Sequence, residues 1–341
     1  MMLTSFYNSH CNFKEKEGNS MKKGQLFIGA LTCLVASMSW GAMFPVADHA
    51  LEFVDPFYFS FIRYGVVTIM LVILLLVREG KKSFHLEGKA KWIILFGVMA
   101  FTIYNVLIFL GQRLMGKSGI MTASIAEALM PMLSIVILWG YKHVKPKKYT
   151  MISILIAFLG ASMVITKGNI SFFFSLGDHL FSILFIFIGV LGWVVYTMGG
   201  QIFREWSTLR YSTLTCLFGT AITGIMTAIL TAQGYVSVPS IKVIAAIKYD
   251  FLFMITLPGI IALLSWNYGI KILSSINGIL FINFVPITTL LIMVIKGYNI
   301  TAFDIVGTLF VIIGLILNNI YQRKEDYKQV LQKEKTNLTI T

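Results

Sequence analysis

Charged side chains are scarce in this chain: Asp, Glu, Lys and Arg make up only 13% of its 341 residues, against about 25% in an ordinary soluble domain. Apolar residues make up 57% of the sequence, and the mean hydropathy is +0.80. So few polar groups cannot cover the surface of a soluble globule, since polar residues are roughly half of a soluble chain. This deficit excludes the soluble classes and indicates a protein whose surface faces lipid.

Cysteine and histidine are also rare, with three and five residues respectively. The cysteines form no CxxC pair and no cluster with histidine, so neither a disulfide framework nor a zinc site is supported. We therefore expect no metal and no cofactor. The formal net charge of +13 could suggest nucleic acid, but the basic residues sit in short loops beside apolar runs. That arrangement is typical of membrane proteins, and a nucleic-acid partner is not expected.

Long apolar runs are what the sequence does contain. Each of ten segments is close to the roughly 17–25 residues that a helix needs to cross a bilayer. We predict an all-α membrane protein with ten transmembrane helices in the lipid bilayer. These spans one to ten lie at residues 26–46, 57–77, 92–110, 120–139, 149–165, 180–201, 213–230, 251–270, 276–295 and 302–321.

The stretches between the spans alternate between rich and poor in Lys and Arg. The two tails and the loops after even-numbered spans hold 21 basic residues. Cytoplasmic loops carry such an excess, so we predict a multi-pass protein of the cell (plasma) membrane with both termini cytoplasmic. Either Met1 or Met21 fits as the start. The opposite side holds six basic residues: Arg113, Lys117, Lys167, Lys242, Lys248 and Lys296.

Two halves of the chain share landmarks. Spans four and nine each contain one proline, Pro131 or Pro286, with Glu127 or Asn283 three or four residues earlier. Spans one and six each contain a tryptophan. We therefore divide the chain into a tail (1–21), two five-helix repeats (22–168 and 169–322) and a second tail (323–341). Because five is odd, the two repeats must be inverted, as in many secondary transporters.

The residues at the start of each half resemble a known family. "WGAMFPVADHALEFVDPFYFSFIRYG" (residues 40–65) and "GDHLFSILFIFIGVLGWVVYTMGGQ" (residues 177–201) are similar to the repeat beginnings of EamA-type proteins of the drug/metabolite transporter superfamily. The resemblance covers about residues 22–322. It implies a ten-helix inverted-repeat carrier with a central cavity. Such carriers commonly move amino acids, related metabolites or drugs.

Two charged residues, Arg63 and Glu127, lie deep inside spans, where a charge costs about 2.5–3.5 kcal/mol. Glu127 is interpreted as a ligand for a substrate ammonium group, as a proton-coupling site, or as a protonated packing residue. Arg63 could pair with Glu127, bind a substrate carboxylate, or extend to the outer interface.

Further candidates for the cavity are aromatic, amide and proline residues inside spans. The aromatic and amide side chains either line a cavity or pack between helices. The prolines mark either a binding site in a broken helix or a static kink. This set comprises Trp40, Phe44, Tyr104, Asn105, Pro131, Trp193, Tyr196, Trp266, Asn267, Asn283 and Pro286.

Residues 111–118 read GQRLMGKS, which matches the phosphate-binding G-x-x-x-x-G-K-S pattern. The apolar run before it is too long for a strand, and the charge pattern places this loop outside the cell. We therefore expect no nucleotide partner here, but a tight turn that begins span four.

These features favour a secondary-active or facilitative transporter that moves a small organic solute by alternating access, with export as the expected direction. Protons are the first coupling ion to consider. The rival classes are a membrane-embedded enzyme and a non-transport membrane protein. The paired aspartates, Ser/His pairs or HExxH motif of intramembrane hydrolases are absent from the sequence, so we do not expect an enzyme.

Overall fold

The computed structural model describes residues 23–142, 148–168, 176–273, 278–297, 299–314, 316–317 and 320–321. All regular secondary structure in these ranges is helical. Both predicted tails and the start of predicted span nine lie outside the described residues. The helices are α1 (Lys23–Leu51), α2 (Pro56–Glu79), α3 (Ala90–Leu114), α4 (Lys117–Ala128), α5 (Met130–Lys142), α6 (Lys148–Thr166), α7 (Leu176–Gly199), α8 (Thr208–Ala232), α9 (Ile241–Ala246), α10 (Lys248–Leu273), α11 (Phe284–Ile295) and α12 (Ala302–Gly314).

Polar residues set where several helices begin. Asp55 accepts a hydrogen bond from the backbone N–H of Phe57, and Pro56 occupies the first position of α2. Ser207 accepts from the backbone N–H of Arg210 at the start of α8. These caps satisfy backbone donors that have no partner within the helix, so the sequence determines these boundaries locally.

In the part of the chain that the structure describes, six helices are long and apolar enough to cross a membrane: α1, α2, α3, α8, α10 and the segment Leu180–Phe203 that contains most of α7. The pair α4 and α5 passes the same test together, with a 48° bend at their junction. Predicted spans five, nine and ten coincide with shorter apolar helices, Lys148–Val164, Ile279–Ile295 and Ala302–Gly314. The chain is therefore an all-helical multi-pass membrane protein, and the count of ten crossings stays a prediction.

Large apolar side chains cover the outside of the bundle. Phe27, Val77, Ile152 and Leu291 are all more than half exposed. A soluble monomer rarely exposes so much contiguous apolar surface, whereas lipid is a suitable neighbour for it.

Helix packing pairs the two halves in matching ways. α1 packs against α10 and α11, while α7 packs against α3, α4 and α5. α2 packs against α8, and α4 packs against α11. Each of these contacts therefore has a counterpart in the other half of the chain or joins two helices at equivalent positions.

Glycines allow the closest of these approaches. A side chain on Gly269 of α10 would collide with the carbonyl of Gly29 and with Cys33. A side chain on Gly111 of α3 would collide with the carbonyl of Ser182 and with Ile186. The separation in sequence between Gly29 and Ser182 equals that between Trp40 and Trp193. The separation between Cys33 and Ile186 is also the same. The two close contacts are therefore equivalent in register as well as in kind.

Two spans contain a wider π-helical turn, Val98–Tyr104 in α3 and Ile255–Ile261 in α10. Two others are interrupted just before a proline. Pro131 is the second residue of α5, and Pro286 is the third residue of α11, which follows a 3₁₀ segment, Ile279–Asn283. Proline is tolerated in a first helical turn because its missing N–H is not needed there. These prolines therefore begin helices.

Candidate functional site

Five large aromatic side chains meet at the centre of the bundle. The ring centroids of Trp40 and Trp193 lie 5.1 Å apart, as do those of Trp40 and Trp266. Trp193 also lies 5.0 Å from the rings of both Tyr104 and Tyr196. None of the five is more than 4% exposed. We call this set, drawn from α1, α3, α7 and α10, the central aromatic cluster.

Glu127 joins the central aromatic cluster through Tyr104. Its side chain lies in the last turn of α4, directly before the bend, and is 1% exposed. The hydroxyl of Tyr104 donates a hydrogen bond to Glu127 Oε1. Within the described part of the chain, the second oxygen, Oε2, is buried without a hydrogen-bond partner, and so is Nε1 of Trp193. Buried polar atoms without partners are costly, so these two atoms are free to bind a polar ligand.

On the other side of the central aromatic cluster, a polar network involves Asn267. Its amide nitrogen donates to the hydroxyl of Tyr196 at 2.7 Å and to Ser212 Oγ at 2.9 Å. The hydroxyl of Tyr211 in turn donates to the carbonyl oxygen of Tyr196 at 3.0 Å. Tyr196 in the second half is thus hydrogen-bonded to a neutral amide, whereas Tyr104 in the first half is hydrogen-bonded to the carboxyl group of Glu127.

Arg63 behaves differently from two of its three expected roles. Its side chain is 0% exposed, so it does not extend to the interface. Among the described residues it forms no ion pair with Glu127, whose hydrogen-bond partner there is Tyr104. Instead, Arg63 Nε donates to the carbonyl oxygen of Met254 at 3.0 Å. The physical reason is that Pro258, four residues after Met254, has no N–H to donate in the usual helical hydrogen bond.

The remaining predicted residues are buried but are not all in contact with the cluster. Asn105 donates to the carbonyl oxygen of Ala100 at 2.6 Å. Asn283 is 9% exposed, and its Oδ1 has no partner. Phe44 is 0% exposed. Pro131 and Pro286 lie at the two helix interruptions described above and do not contribute side-chain hydrogen bonds.

Two pockets lie at opposite ends of the bundle. One, of about 210 Å³, is lined by Asp48, Leu51, Glu52, Arg113, Gly116 and Lys117. The other is much smaller, about 30 Å³, and extends from Arg204 and Lys271 inward to Asn267. The five rings of the central aromatic cluster line neither of these two pockets.

The GQRLMGKS motif does not form a phosphate-binding loop. Gly111 lies inside α3, where a side chain would come within 2.6 Å of the carbonyl oxygen of Ser182. Gly116 has a φ of +57° and makes the turn, after which α4 begins at Lys117. A helix, rather than the strand of a P-loop, precedes the turn.

Sequence reasoning did not single out Pro258 or Thr289. Pro258 was detectable, because it is one of only seven prolines and falls within span eight. Thr289 Oγ1 lies 2.8 Å from the carbonyl oxygen of Gly41 in α1. A threonine in an apolar span gives no sign in sequence of which carbonyl it will contact.

Long apolar helices in a bundle whose outer surface is also apolar define a multi-pass membrane protein. Comparison with known proteins then gives the family. The EamA-like transporter family profile matches twice, at residues 27–166 and 180–320. The chain therefore belongs to the EamA-like transporter family, within the drug/metabolite transporter superfamily.

Individual relatives agree with this assignment. YyaM of Bacillus subtilis (strain 168), described as an uncharacterized transporter, is 27% identical over 285 residues, which is 82% of this chain and 90% of the relative. A solved crystal structure described only as that of a protein aligns with a TM-score of 0.63 at 16% identity. It covers 87% of this chain and 98% of the solved one, which shows a shared fold.

Proposed function

We propose that this protein is a secondary-active or facilitative carrier that exports a small organic solute, such as an amino acid, a related metabolite or a drug. The solute binds at the central aromatic cluster and Glu127. Two inverted five-helix halves, residues 22–168 and 169–322, expose it alternately to the two faces of the plasma membrane. Both termini are cytoplasmic.

The paired packing of the two halves supports the inverted architecture. The family profile matches each half once. The contact of Gly269 with α1 is equivalent to that of Gly111 with α7, and both π-helical turns fall in the third span of their half. Two equivalent halves can exchange conformations, and this exchange is the physical basis of alternating access.

The observation that carries the proposal is the open oxygen of Glu127. The carboxyl group of Glu127 lies beside the break between α4 and α5 and is 1% exposed. Among the described residues its hydrogen-bond partner is Tyr104, and its Oε2 has none. A membrane protein retains such a costly group where the group binds a substrate or carries a proton. The indole faces beside it suit an organic solute, and a solute ammonium group would be attracted both to the carboxylate and to the rings.

The test is transport by purified protein in proteoliposomes. A candidate solute comes from comparing metabolites in cells and medium with and without the gene. We expect wild-type transport to depend on pH. Glu127→Gln should lose that dependence and slow transport by roughly tenfold or more, the effect of losing a charge-assisted contact of about 1.5–3 kcal/mol.

Glu52→Gln is the matched control, because Glu52 is an exposed carboxylate at the end of α1. It should leave the pH dependence unchanged. Transport by Glu127→Gln with the wild-type rate and pH profile would remove Glu127 from the mechanism. Purified protein that converts the solute chemically and does not move it would favour a membrane-embedded enzyme.

A further inference from the structure

Span eight contains a backbone carbonyl that the helix itself cannot satisfy in the usual way. The α-helical hydrogen bond to Met254 O would come from the N–H of residue 258, which is proline and has none. The helix widens at this point into the π-helical turn Ile255–Ile261, after which the N–H of Ala262 reaches back five residues to Leu257 O. Within that turn the N–H five residues on is the helix's remaining donor, and the carbonyl oxygen, which has two lone pairs, can accept a further hydrogen bond from another helix.

Arg63 of α2 donates that further hydrogen bond. Its Nε donates to Met254 O at 3.0 Å, and its Nη1 lies 3.4 Å from Met43 Sδ. The guanidinium also sits 4.6 Å from the centre of the Tyr64 ring. No carboxylate within ion-pair distance of Arg63 occurs in the described part of the chain. A fully buried arginine therefore has a backbone carbonyl as its strongest acceptor.

The same turn of α10 connects to the central aromatic cluster. The carbonyl oxygen of Pro258 accepts a hydrogen bond from Trp40 Nε1 at 3.2 Å. Trp40 is the ring that contacts both Trp193 and Trp266. The position of the π-helical turn therefore determines where Trp40 has its hydrogen-bond acceptor.

A second proline in this chain follows the same pattern. Pro45 cannot donate to Gly41 O, and Thr289 Oγ1 of α11 lies 2.8 Å from that oxygen. In each case a side chain from a different span lies within hydrogen-bond distance of the carbonyl that proline leaves without its usual partner, and the one proton of Thr289 is shared with Val285 O of its own helix at 3.0 Å.

We propose that Arg63 is a positioning residue: it takes the place of the N–H that Pro258 lacks, holds the π-helical turn of α10, and thereby places Trp40 in the central aromatic cluster. Among the described residues its Nη2 is buried without a hydrogen-bond partner; the proposal gives that nitrogen no substrate contact, and the transport measurement below tests this point. The proposal rests on the proposed function only in taking that cluster as the transport site. The hydrogen-bonding role can be tested without any transported solute.

The test uses suppression. Arg63→Met keeps the side-chain length but removes every donor. We expect it to lower the thermal midpoint of the detergent-purified protein by about 2–4 °C, the scale of losing a buried polar contact in a chain of this length. It should also change the tryptophan emission, and the change should be absent when Trp40 is replaced by Phe.

Pro258→Ala restores the missing N–H at the required position. In the Arg63→Met background it should recover most of the thermal midpoint, the tryptophan emission and the transport rate. Pro45→Ala is the matched control, because it restores an N–H at a different carbonyl and should recover none of them. If Arg63→Met is not recovered as folded protein, recovery of folded Arg63→Met/Pro258→Ala still supports the proposal.

Three results would overturn it. Failure of Pro258→Ala to rescue the Arg63→Met protein would show that the carbonyl is not what Arg63 serves. Equal rescue by Pro45→Ala would indicate general stiffening. Recovery of the thermal midpoint and the tryptophan emission without recovery of transport would indicate that Arg63 binds the transported solute directly. Failure of the wild-type protein to transport any solute would remove the proposed function but leave the first two measurements informative.

Discussion

The two π-helical turns, one in α3 and one in α10, are equivalent in position but differ in cause. In α10 the turn contains Pro258, which excludes the regular helical bond to Met254. In α3 the turn Val98–Tyr104 contains no proline. Its carbonyls are bound by side chains: Asn105 donates to Ala100 O, and Thr223 of α8 donates to Phe101 O.

This difference teaches that proline enforces the π-helical turn in α10, whereas packing and side-chain hydrogen bonds maintain the turn in α3. The turn in α3 can revert to regular α-helix if its side-chain partners are lost. The turn in α10 cannot. We therefore expect α3 to be the span that changes its backbone between conformations, with α10 remaining bent.

The largest expected effect concerns how α3 is seated on α8. A Cβ at Gly97, the residue just before the π-helical turn, would lie 2.4 Å from the carbonyl oxygen of Thr215. Gly97→Ala should therefore destabilise the protein by about 1–3 kcal/mol through overpacking. Chemical unfolding in detergent measures this. Gly65→Ala on α2 has nothing within 4 Å of the new Cβ and is the control. Equal stability of the two variants would contradict the close contact.

An intermediate effect is expected at Asn105. Asn105→Ala removes the side-chain donor to Ala100 O, which corresponds to a cost of about 1–3 kcal/mol if the carbonyl stays unpaired. Because α3 has no proline in its turn, the backbone can recover a helical bond, and the loss should be smaller than for Arg63→Met. The thermal midpoints of the two purified variants make the comparison. A larger loss at Asn105 would mean that the turn in α3 is also fixed.

The smallest effect is expected outside the spans, where the loop between α2 and α3 meets the start of α8 and the residues just before it. Glu87 accepts hydrogen bonds from Trp206 Nε1 at 2.8 Å and from Arg210 at 2.7 Å. These contacts, with Trp206 the larger cause, lower the pKa of Glu87 below its usual value. Because the folded-state pKa is lowered, the stabilisation is present above the usual range near about 4.3 and is lost as pH falls through the lowered pKa.

Glu87→Gln should therefore weaken the loss of thermal midpoint on acidification below about pH 4.3, and change little at neutral pH. Glu52→Gln provides the comparison at another exposed carboxylate. An effect of Glu87→Gln at neutral pH larger than that of Asn105→Ala would reverse the ranking. Contacts in water would then matter more here than those that satisfy carbonyls inside the bilayer.

Sequence patterns gave much of the fold for a simple reason. The helices that cross lipid must be apolar over about 20 residues, and this property is visible in composition alone. Every predicted span coincides with a helix, a broken helix or a shorter apolar helix of the described residues. The internal landmarks also brought Trp40 and Trp193 together as a pair before their 5.1 Å contact was known.

Hydrogen-bond partners across helices were beyond sequence reasoning. Arg63 was expected to meet a carboxylate, because opposite charges are the natural guess for a buried arginine. Its partner, Met254 O, is a backbone atom 191 residues away, and every residue has such a carbonyl. Asn105 is similar, because its side chain contacts a carbonyl of its own helix that only a π-helical turn makes available.

The sequence by itself determined that this chain lies in a membrane, where its helices run, and which polar and aromatic residues are confined inside them, because the cost of placing polar groups in lipid acts on each segment separately. Only the tertiary structure decided which of these residues touch. It brought Glu127 to Tyr104, closed the central aromatic cluster, and directed Arg63 to the carbonyl that Pro258 leaves without a donor. Those choices depend on the relative rotation and depth of distant helices, which no local pattern encodes.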